Sequence, residues 1–175
     1  MQMIRHCIDQ CWDVLQTVSD PEIPVLSVVD LGMIRGVEIN DQQEIIVRLT
    51  PTYSGCPATD MLKAQIVEAF TAEALTPVKV MVDLSEAWTT DWMSEAGKKK
   101  LQVYGIAPPE GLAHQCGTHV HLKDGVECPR CKSRHTRLLT EFSSTACKAL
   151  YKCQDCLEPF DYFKCCLLYT SPSPR

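Results

Sequence analysis

The sequence lacks the long apolar run that a membrane-spanning helix needs. No stretch of 18 apolar residues occurs among its 175 residues, and the first nine include charged residues where a secretory signal peptide needs an unbroken apolar stretch. We therefore expect a cytoplasmic protein with no membrane partner. An excess of basic charge is also missing, because residues 1–112 contain 8 Lys/Arg against 16 Asp/Glu and residues 113–165 contain 8 against 6. This balance argues against nucleic acid as a partner.

The motifs of several enzyme classes are absent as well. There is no G-x-G-x-x-G for a dinucleotide and no G-x-S-x-G nucleophile elbow. A carboxylate-bridged di-iron centre uses Glu-x-x-His pairs, but none of the five histidines has a glutamate three residues before it. These absences favour an accessory protein that is not itself catalytic.

Cysteine, by contrast, is abundant. With eleven cysteines and no signal peptide, the composition indicates reduced thiols and metal chemistry rather than a disulfide framework. Four of them form two C-x2-C pairs, Cys128 with Cys131 and Cys153 with Cys156, with 21 residues between the pairs. Four thiolates in this pattern predict a closed tetrahedral site for Zn²⁺, or for iron, that folds the segment and performs no chemistry.

Proline and glycine interrupt the periodic patterns around residues 105–111 and divide the chain there. The pattern before this point predicts an α+β fold, a small sandwich over residues 1–104, followed by a linker over 105–126 and an all-β zinc ribbon over 127–165. Residues 166–175 continue no pattern, and we interpret them as a non-native, disordered tail. The predicted elements of the sandwich, in order, are a helix with its apolar face from Ile4 to Val18, strands Ile34–Ile39 and Ile45–Leu49, a helix Met61–Phe70, a strand Val78–Leu84 and a helix Asp91–Tyr104.

Cys56 is the most informative single residue. It follows a strand and a turn and precedes Pro57, a residue type favoured at the first position of a helix. We therefore predict that Cys56 caps a helix, where unpaired N–H groups and the helix dipole favour a thiolate and lower a cysteine pKa from about 8.5 to roughly 3.5–7.5. Asp60 in the first turn opposes this effect. The alternative is that Cys56 is a small buried cap residue that only packs.

Three ordered motifs resemble the MIP18 (DUF59) domain family, which works in iron–sulfur cluster assembly. They are Asp20-Pro21-Glu22-Ile23-Pro24, Asp30-Leu31-Gly32 and the string from Thr50 to Pro57. Together with the string from Ala87 to Glu95 and the cysteine ribbon, they resemble the D proteins of the phenylacetyl-CoA epoxidase (phenylacetate-CoA oxygenase) system, of the PaaD or PaaJ type. The resemblance covers about residues 4–165.

The resemblance implies a functional thiol at Cys56, with Asp20, Glu22, Asp30 and Thr52 lining the same pocket. It implies transient binding of iron or of an iron–sulfur cluster at Cys56. The implied partner is the oxygenase or the reductase component of this monooxygenase, the reductase carrying flavin and a [2Fe–2S] cluster, and a homodimer is compatible with it. The implied function is assembly or maintenance of the system's iron–sulfur cluster in phenylacetate catabolism. The alternative is a structural or regulatory subunit of the oxygenase complex.

Some other side chains have two interpretations. Cys7 and Cys11, one helical turn apart, fit either a shared metal or, better, helix packing, and Trp88 and Trp92 fit the core better than a partner surface. Ser143 stands where we expect glycine in the ribbon loop. Two further sets are candidate metal ligands, for a second site in the linker or as replacements in the ribbon: His114, Cys116, His119 and His121, and Cys147 and Cys165.

Overall fold

The computed structural model describes residues 2–53, 55–110 and 125–164. Two compact units divide the chain, residues 1–88 and 89–175. Across the described residues, no helix combines the length and the apolar character needed to span a bilayer. The elements, in chain order, are α1 Gln2–Thr17, β1 Ile34–Ile39, β2 Ile45–Leu49, α2 Thr59–Ala72, β3 Val78–Val82, a 3₁₀ helix Thr90–Trp92, α3 Glu95–Tyr104, β4 Ile106–Ala107, β5 Thr136–Thr140, β6 Lys148–Cys153 and β7 Pro159–Phe163.

The first unit contains a three-stranded sheet in the order β1-β2-β3. β1 and β2 form an antiparallel hairpin, whose turn is held by the Asn40 side chain accepting the N–H groups of Gln42 and Glu44 at 3.0 and 2.9 Å. β2 and β3 are parallel, with Val47 opposite Val80, and α2 makes the crossover that parallel strands require. The predicted order of helix, two strands, helix and strand is confirmed.

Both helices pack on this sheet because their apolar residues recur every three or four positions. α1 contacts β1 and α2, and α2 contacts β3. The predicted apolar face of α1 is buried at its C-terminal half, whereas the Ile4 side chain lies outside the described residues. Burial of one large apolar side chain contributes roughly 1.5–3 kcal/mol. The fully buried side chains of the two helices are Cys11, Leu15, Leu62, Ile66 and Phe70.

In the second unit, the single helix predicted from Asp91 to Tyr104 is wrong at its start. Two capping residues divide the segment: Thr89 accepts the Asp91 N–H at 3.1 Å, and Ser94 accepts the Gly97 N–H at 2.8 Å. Each cap begins its own helix, so a 3₁₀ turn precedes α3. α3 ends at Gly105, whose φ of 96° lies in the left-handed region that glycine adopts readily.

The ribbon is a four-stranded sheet in the order β4-β7-β6-β5. β5, β6 and β7 are antiparallel, whereas β4 runs parallel to β7 and contacts α3. The ribbon unit therefore includes α3 and β4, which lie before or within the stretch predicted as a linker. Its core is aromatic: Tyr151 is fully buried, with ring centroids of Phe160 and Tyr162 at 5.9 and 5.6 Å. The α+β fold class is confirmed.

Candidate functional site

Three loops of the first unit leave the sheet at one edge. Met33, just before β1, accepts the Thr50 N–H at 2.8 Å, and Thr50 follows β2 directly. Asp83, just after β3, donates its N–H to Leu49 and accepts the Thr50 hydroxyl through its carbonyl, both at 2.9 Å. This edge therefore gathers the loop before β1, the loop that carries Cys56 and the loop after β3.

Cys56 lies in a tight turn within the second of these loops. Its N–H donates to the Tyr53 carbonyl at 3.1 Å, and its own carbonyl accepts the N–H and the hydroxyl of Thr59 at 3.2 and 2.8 Å. The side chain is half-buried, so the thiol is held in place and remains accessible. Thr52, on the same loop, is buried.

The prediction that Cys56 caps α2 is wrong. The N-cap is Ala58, whose methyl group cannot accept a hydrogen bond, and the helix begins at Thr59. Pro57 lies in the preceding turn, because the Thr59 N–H and hydroxyl bond to the Cys56 carbonyl and close one more turn before the helix starts. The capping argument for a thiolate at Cys56 therefore does not apply.

The acidic residues of the motifs hold backbone turns. Asp20 accepts the N–H groups of Glu22 and Ile23, each at 2.8 Å, while the Glu22 side chain is exposed. Asp30 is only 3% exposed, and its carboxylate accepts the Ser27 N–H at 3.1 Å while the Ser27 hydroxyl accepts the Asp30 N–H at 3.0 Å. These contacts give both carboxylates a folding role, and their place in a pocket with Cys56 stays a prediction.

Trp88 is a buried residue of the first unit. It is 3% exposed, and its Nε1–H donates to the Leu31 carbonyl at 2.9 Å. The hydrogen bond ties the end of the third loop to the Asp30-Leu31-Gly32 motif, so the indole fills the core as expected. Trp92 is half-buried.

The two C-x2-C pairs of the ribbon come together as predicted. The sulfur atoms of Cys128 and Cys156 lie 3.8 Å apart, those of Cys131 and Cys153 lie 3.5 Å apart, and all four are within 4.8 Å of one another. A tetrahedral metal with bonds of about 2.3 Å to sulfur needs edges of about 3.8 Å. The four-cysteine cluster therefore fits metal binding, and its role as the ligand set of zinc stays a prediction.

The backbone bends in the same way after each pair. Lys132 and Leu157, the residues that follow the second cysteine of each pair, both have φ of 64°. In the second turn the Cys156 N–H points to the Cys153 sulfur at 3.5 Å. Backbone N–H groups, that of Cys156 first, lower the pKa of the Cys153 thiol to about 6, which favours the thiolate form that binds metals.

Polar side chains next to the cluster join the two turns. Arg130, inside the first pair, is bonded to Glu158, which follows the second pair. His135 Nδ1 lies 2.9 Å from Asp155, and the Ser133 hydroxyl also donates to that carboxylate. Sequence reasoning missed these contacts, and the only sequence signal was the placement of Arg130 and Asp155 within the pairs.

The other candidate thiols do not join the cluster. Cys147 lies at the opposite end of β6 from Cys153, with its sulfur 3.0 Å from the Thr145 hydroxyl. Cys11 is fully buried, and burial, assisted by Cys7, raises its pKa to about 11, as expected for a packed thiol. Among the described residues the four ribbon cysteines are the one group of three or more metal-ligating side chains. The remaining candidates from the sequence lie outside the described residues: His114, Cys116, His119, His121, Cys165 and the tail 166–175.

The expected glycine in the ribbon loop is not required. Ser143 does not adopt a positive φ, and its N–H donates to the Lys148 carbonyl at 3.0 Å. Its hydroxyl donates to Asp161 at 2.5 Å, a bond that glycine cannot make. The loop therefore accommodates serine without strain.

Comparisons with known proteins agree with this arrangement. Residues 8–82 match the family described as iron–sulfur cluster assembly protein, and residues 113–164 match the PaaD zinc beta ribbon domain. An Escherichia coli protein, named as the D component of 1,2-phenylacetyl-CoA epoxidase, is 53% identical over 158 residues, which are 90% of this chain and 93% of that protein.

Two more distant relatives cover the first part of the chain. A protein of Porphyromonas gingivalis, named as an Fe-S protein maturation auxiliary factor, is 34% identical over 88 residues, 50% of this chain and 83% of that protein. The crystal structure of a DUF59 domain from Bacillus anthracis matches 58% of this chain and 97% of its own with a TM-score of 0.54 and 20% identity. At that identity the similarity concerns the fold alone.

Proposed function

Because the chain belongs to the PaaD family, the D proteins of phenylacetyl-CoA epoxidase systems, we propose that it assembles or maintains the iron–sulfur cluster of such a system. It would then be an accessory protein of phenylacetate degradation. One observation carries the proposal: the chain joins an iron–sulfur cluster assembly domain to a cysteine ribbon, and the half-buried Cys56 lies on a loop at one edge of that domain's sheet. The alternative, a structural or regulatory subunit, makes Cys56 a packing residue.

In this proposal the Cys56 thiol holds the cargo for a short time. The thiol loses its proton when its sulfur binds iron, and it regains a proton when a cysteine thiolate of the client replaces it. No electron changes hands in this ligand exchange. The turn that bonds both the N–H and the carbonyl of Cys56 fixes the backbone, so the sulfur is positioned before the cargo arrives.

The ribbon has a different task. We propose that Cys128, Cys131, Cys153 and Cys156 hold Zn²⁺, which leaves no open coordination position and therefore stabilises the ribbon without performing chemistry. The client we propose is the reductase component of the epoxidase system, because a [2Fe–2S] cluster is held by four cysteine thiolates and has to be delivered or built in place.

Reconstitution of the purified full-length chain with ferrous iron and sulfide under anaerobic conditions tests the role of Cys56. We expect the wild-type chain to bind iron beyond its ribbon metal and to show the visible absorption of an iron–sulfur chromophore or of an iron–thiolate site. Cys56→Ala should lose this extra iron, whereas Cys7→Ala, which removes another half-buried thiol of the same unit, should keep it.

The same experiment separates the two candidate functions. Equal iron binding by Cys56→Ala and the wild type would assign Cys56 to packing and would favour the subunit. Loss of iron in both variants would mean that the assay reports surface thiols rather than a site.

A further inference from the structure

A groove lined by basic and polar side chains lies beside the edge strand of the ribbon sheet. β5 is the last strand in the sheet order, so among the described strands it has a neighbour only on its β6 side. The groove has a volume of about 510 Å³. Its lining residues are Gly125, Arg134, His135, Thr136, Arg137 and Gln154.

Most cations of the ribbon already have a carboxylate partner. Arg134 lies 3.1 Å from Glu110, and His135 lies 2.9 Å from Asp155. The remaining ion pairs of the ribbon are Arg130 with Glu158, Lys132 with Glu127 and Lys148 with Asp161. Within the part of the chain that the structure describes, no carboxylate pairs with Arg137 or Lys152.

Arg137 and Lys152 are also direct cross-strand neighbours. They face each other in the antiparallel pair of β5 and β6. Like charges directly opposite on a sheet destabilise it, so this pair has a cost that a bound anion would remove.

The metal cluster is not that anion. Side chains alternate along a strand, and the neighbouring pair of Thr136 with Cys153 is buried on the core face. Arg137 and Lys152 therefore project from the other face of the sheet, away from the cysteine sulfur.

We propose that this groove is the docking site for an extended acidic segment of a partner protein. The segment would lie along the free edge of β5, where unpaired backbone groups accept an added strand, and its carboxylates would contact Arg137 and Lys152. Leu139, 43% exposed on the same strand, offers an apolar contact beside the charges.

The charge of the chain favours such a segment over nucleic acid. Residues 1–112 hold 8 Lys/Arg against 16 Asp/Glu, a net of −8, which repels a long polyanion, whereas a short acidic segment needs only the local basic pair. The inference goes beyond the proposed function, because docking here requires neither Cys56 nor a cluster.

The test is a fluorescence anisotropy titration of the full-length, metal-replete chain with a short labelled peptide of alternating Glu and Val. We expect saturable binding, weakened roughly tenfold or more, or about 1.4 kcal/mol, by Arg137→Glu and by Lys152→Glu. Lys99→Glu is the matched control, because it makes the same charge change at an exposed position on α3 and should bind as the wild type does. Metal content and circular dichroism of each variant establish that the ribbon is folded.

Amide chemical shifts provide the location. Shifts confined to β5, the start of the groove and the end of β6 would support the docking site. Three results would overturn it: no saturable binding, an equal loss of binding in Lys99→Glu, or displacement of the peptide by inorganic phosphate at the peptide's own concentration, which would identify a small-anion site instead.

Discussion

At the residue scale, two thiols of the first unit occupy contrasting environments. Cys56 is half-buried in a loop, whereas Cys11 is fully buried and burial raises its pKa to about 11. Only the thiolate reacts with alkylating reagents, so both burial and a raised pKa protect Cys11.

This contrast predicts the order of alkylation in the native chain. With iodoacetamide near neutral pH, Cys56 should be modified well before Cys11, and peptide mass spectrometry over time measures the order. In denaturant both should react at similar rates, because the burial that distinguishes them is gone. Equal protection of Cys56 and Cys11 in the native chain would show that Cys56 is inaccessible and would remove the basis of its proposed role.

The sequence located Cys56 in the correct loop but misjudged where the helix begins. Proline is favoured at the first helical position only as a tendency, and here Thr59 bonds to the Cys56 carbonyl and starts the helix two residues after Pro57. Similarly, Asp20 and Asp30 were recognisable as motif residues, but their bonds to backbone N–H groups depend on turn geometry that spacing does not specify.

At the scale of elements, the ribbon depends on side chains far apart in sequence. The two C-x2-C pairs were recognisable because their spacing restricts the possible metal geometry. The pairing of β4 with β7 was not, because β4 contains only Ile106 and Ala107 and lies more than fifty residues before its partner strand. A two-residue strand has too little periodicity to be predicted.

The metal should hold the ribbon together. Removing one ligand with Cys128→Ser should lower metal content and unfold the ribbon strands, because structural zinc in small domains contributes roughly 10–16 kcal/mol of apparent binding free energy. The first unit, residues 1–88, has its own sheet and core and should remain folded. Hydrogen exchange resolved by peptide, together with zinc analysis, measures both effects.

Cys147→Ser is the matched control for this substitution. Its sulfur lies outside the four-cysteine cluster, so this variant should keep a full complement of metal and a protected ribbon. A full complement of zinc in Cys128→Ser would refute the ligand assignment, and loss of zinc in Cys147→Ser would show that the cluster alone does not define the site.

At the scale of the whole molecule, the chain combines two units with separate cores. The α+β class and the order of its elements followed from hydrophobic periodicity, since each long helix and strand of the first unit carries its own pattern. The limit between the units did not, because α3 joins the ribbon through its contact with β4, a contact between neighbouring elements that the proline-rich break at residues 105–111 obscures. An assembly factor of this design should be absent from the purified active oxygenase, whereas a subunit should co-purify at a fixed ratio.

The most direct test of the proposed function is the cofactor content of the reductase component made in cells that lack this protein. We predict a reductase that keeps its flavin but holds little iron and little acid-labile sulfide, with both restored by the wild-type chain and not by Cys56→Ala. A reductase fully loaded with iron and sulfide in the absence of this protein, with oxygenase activity still lost, would contradict the account and identify the chain as a subunit.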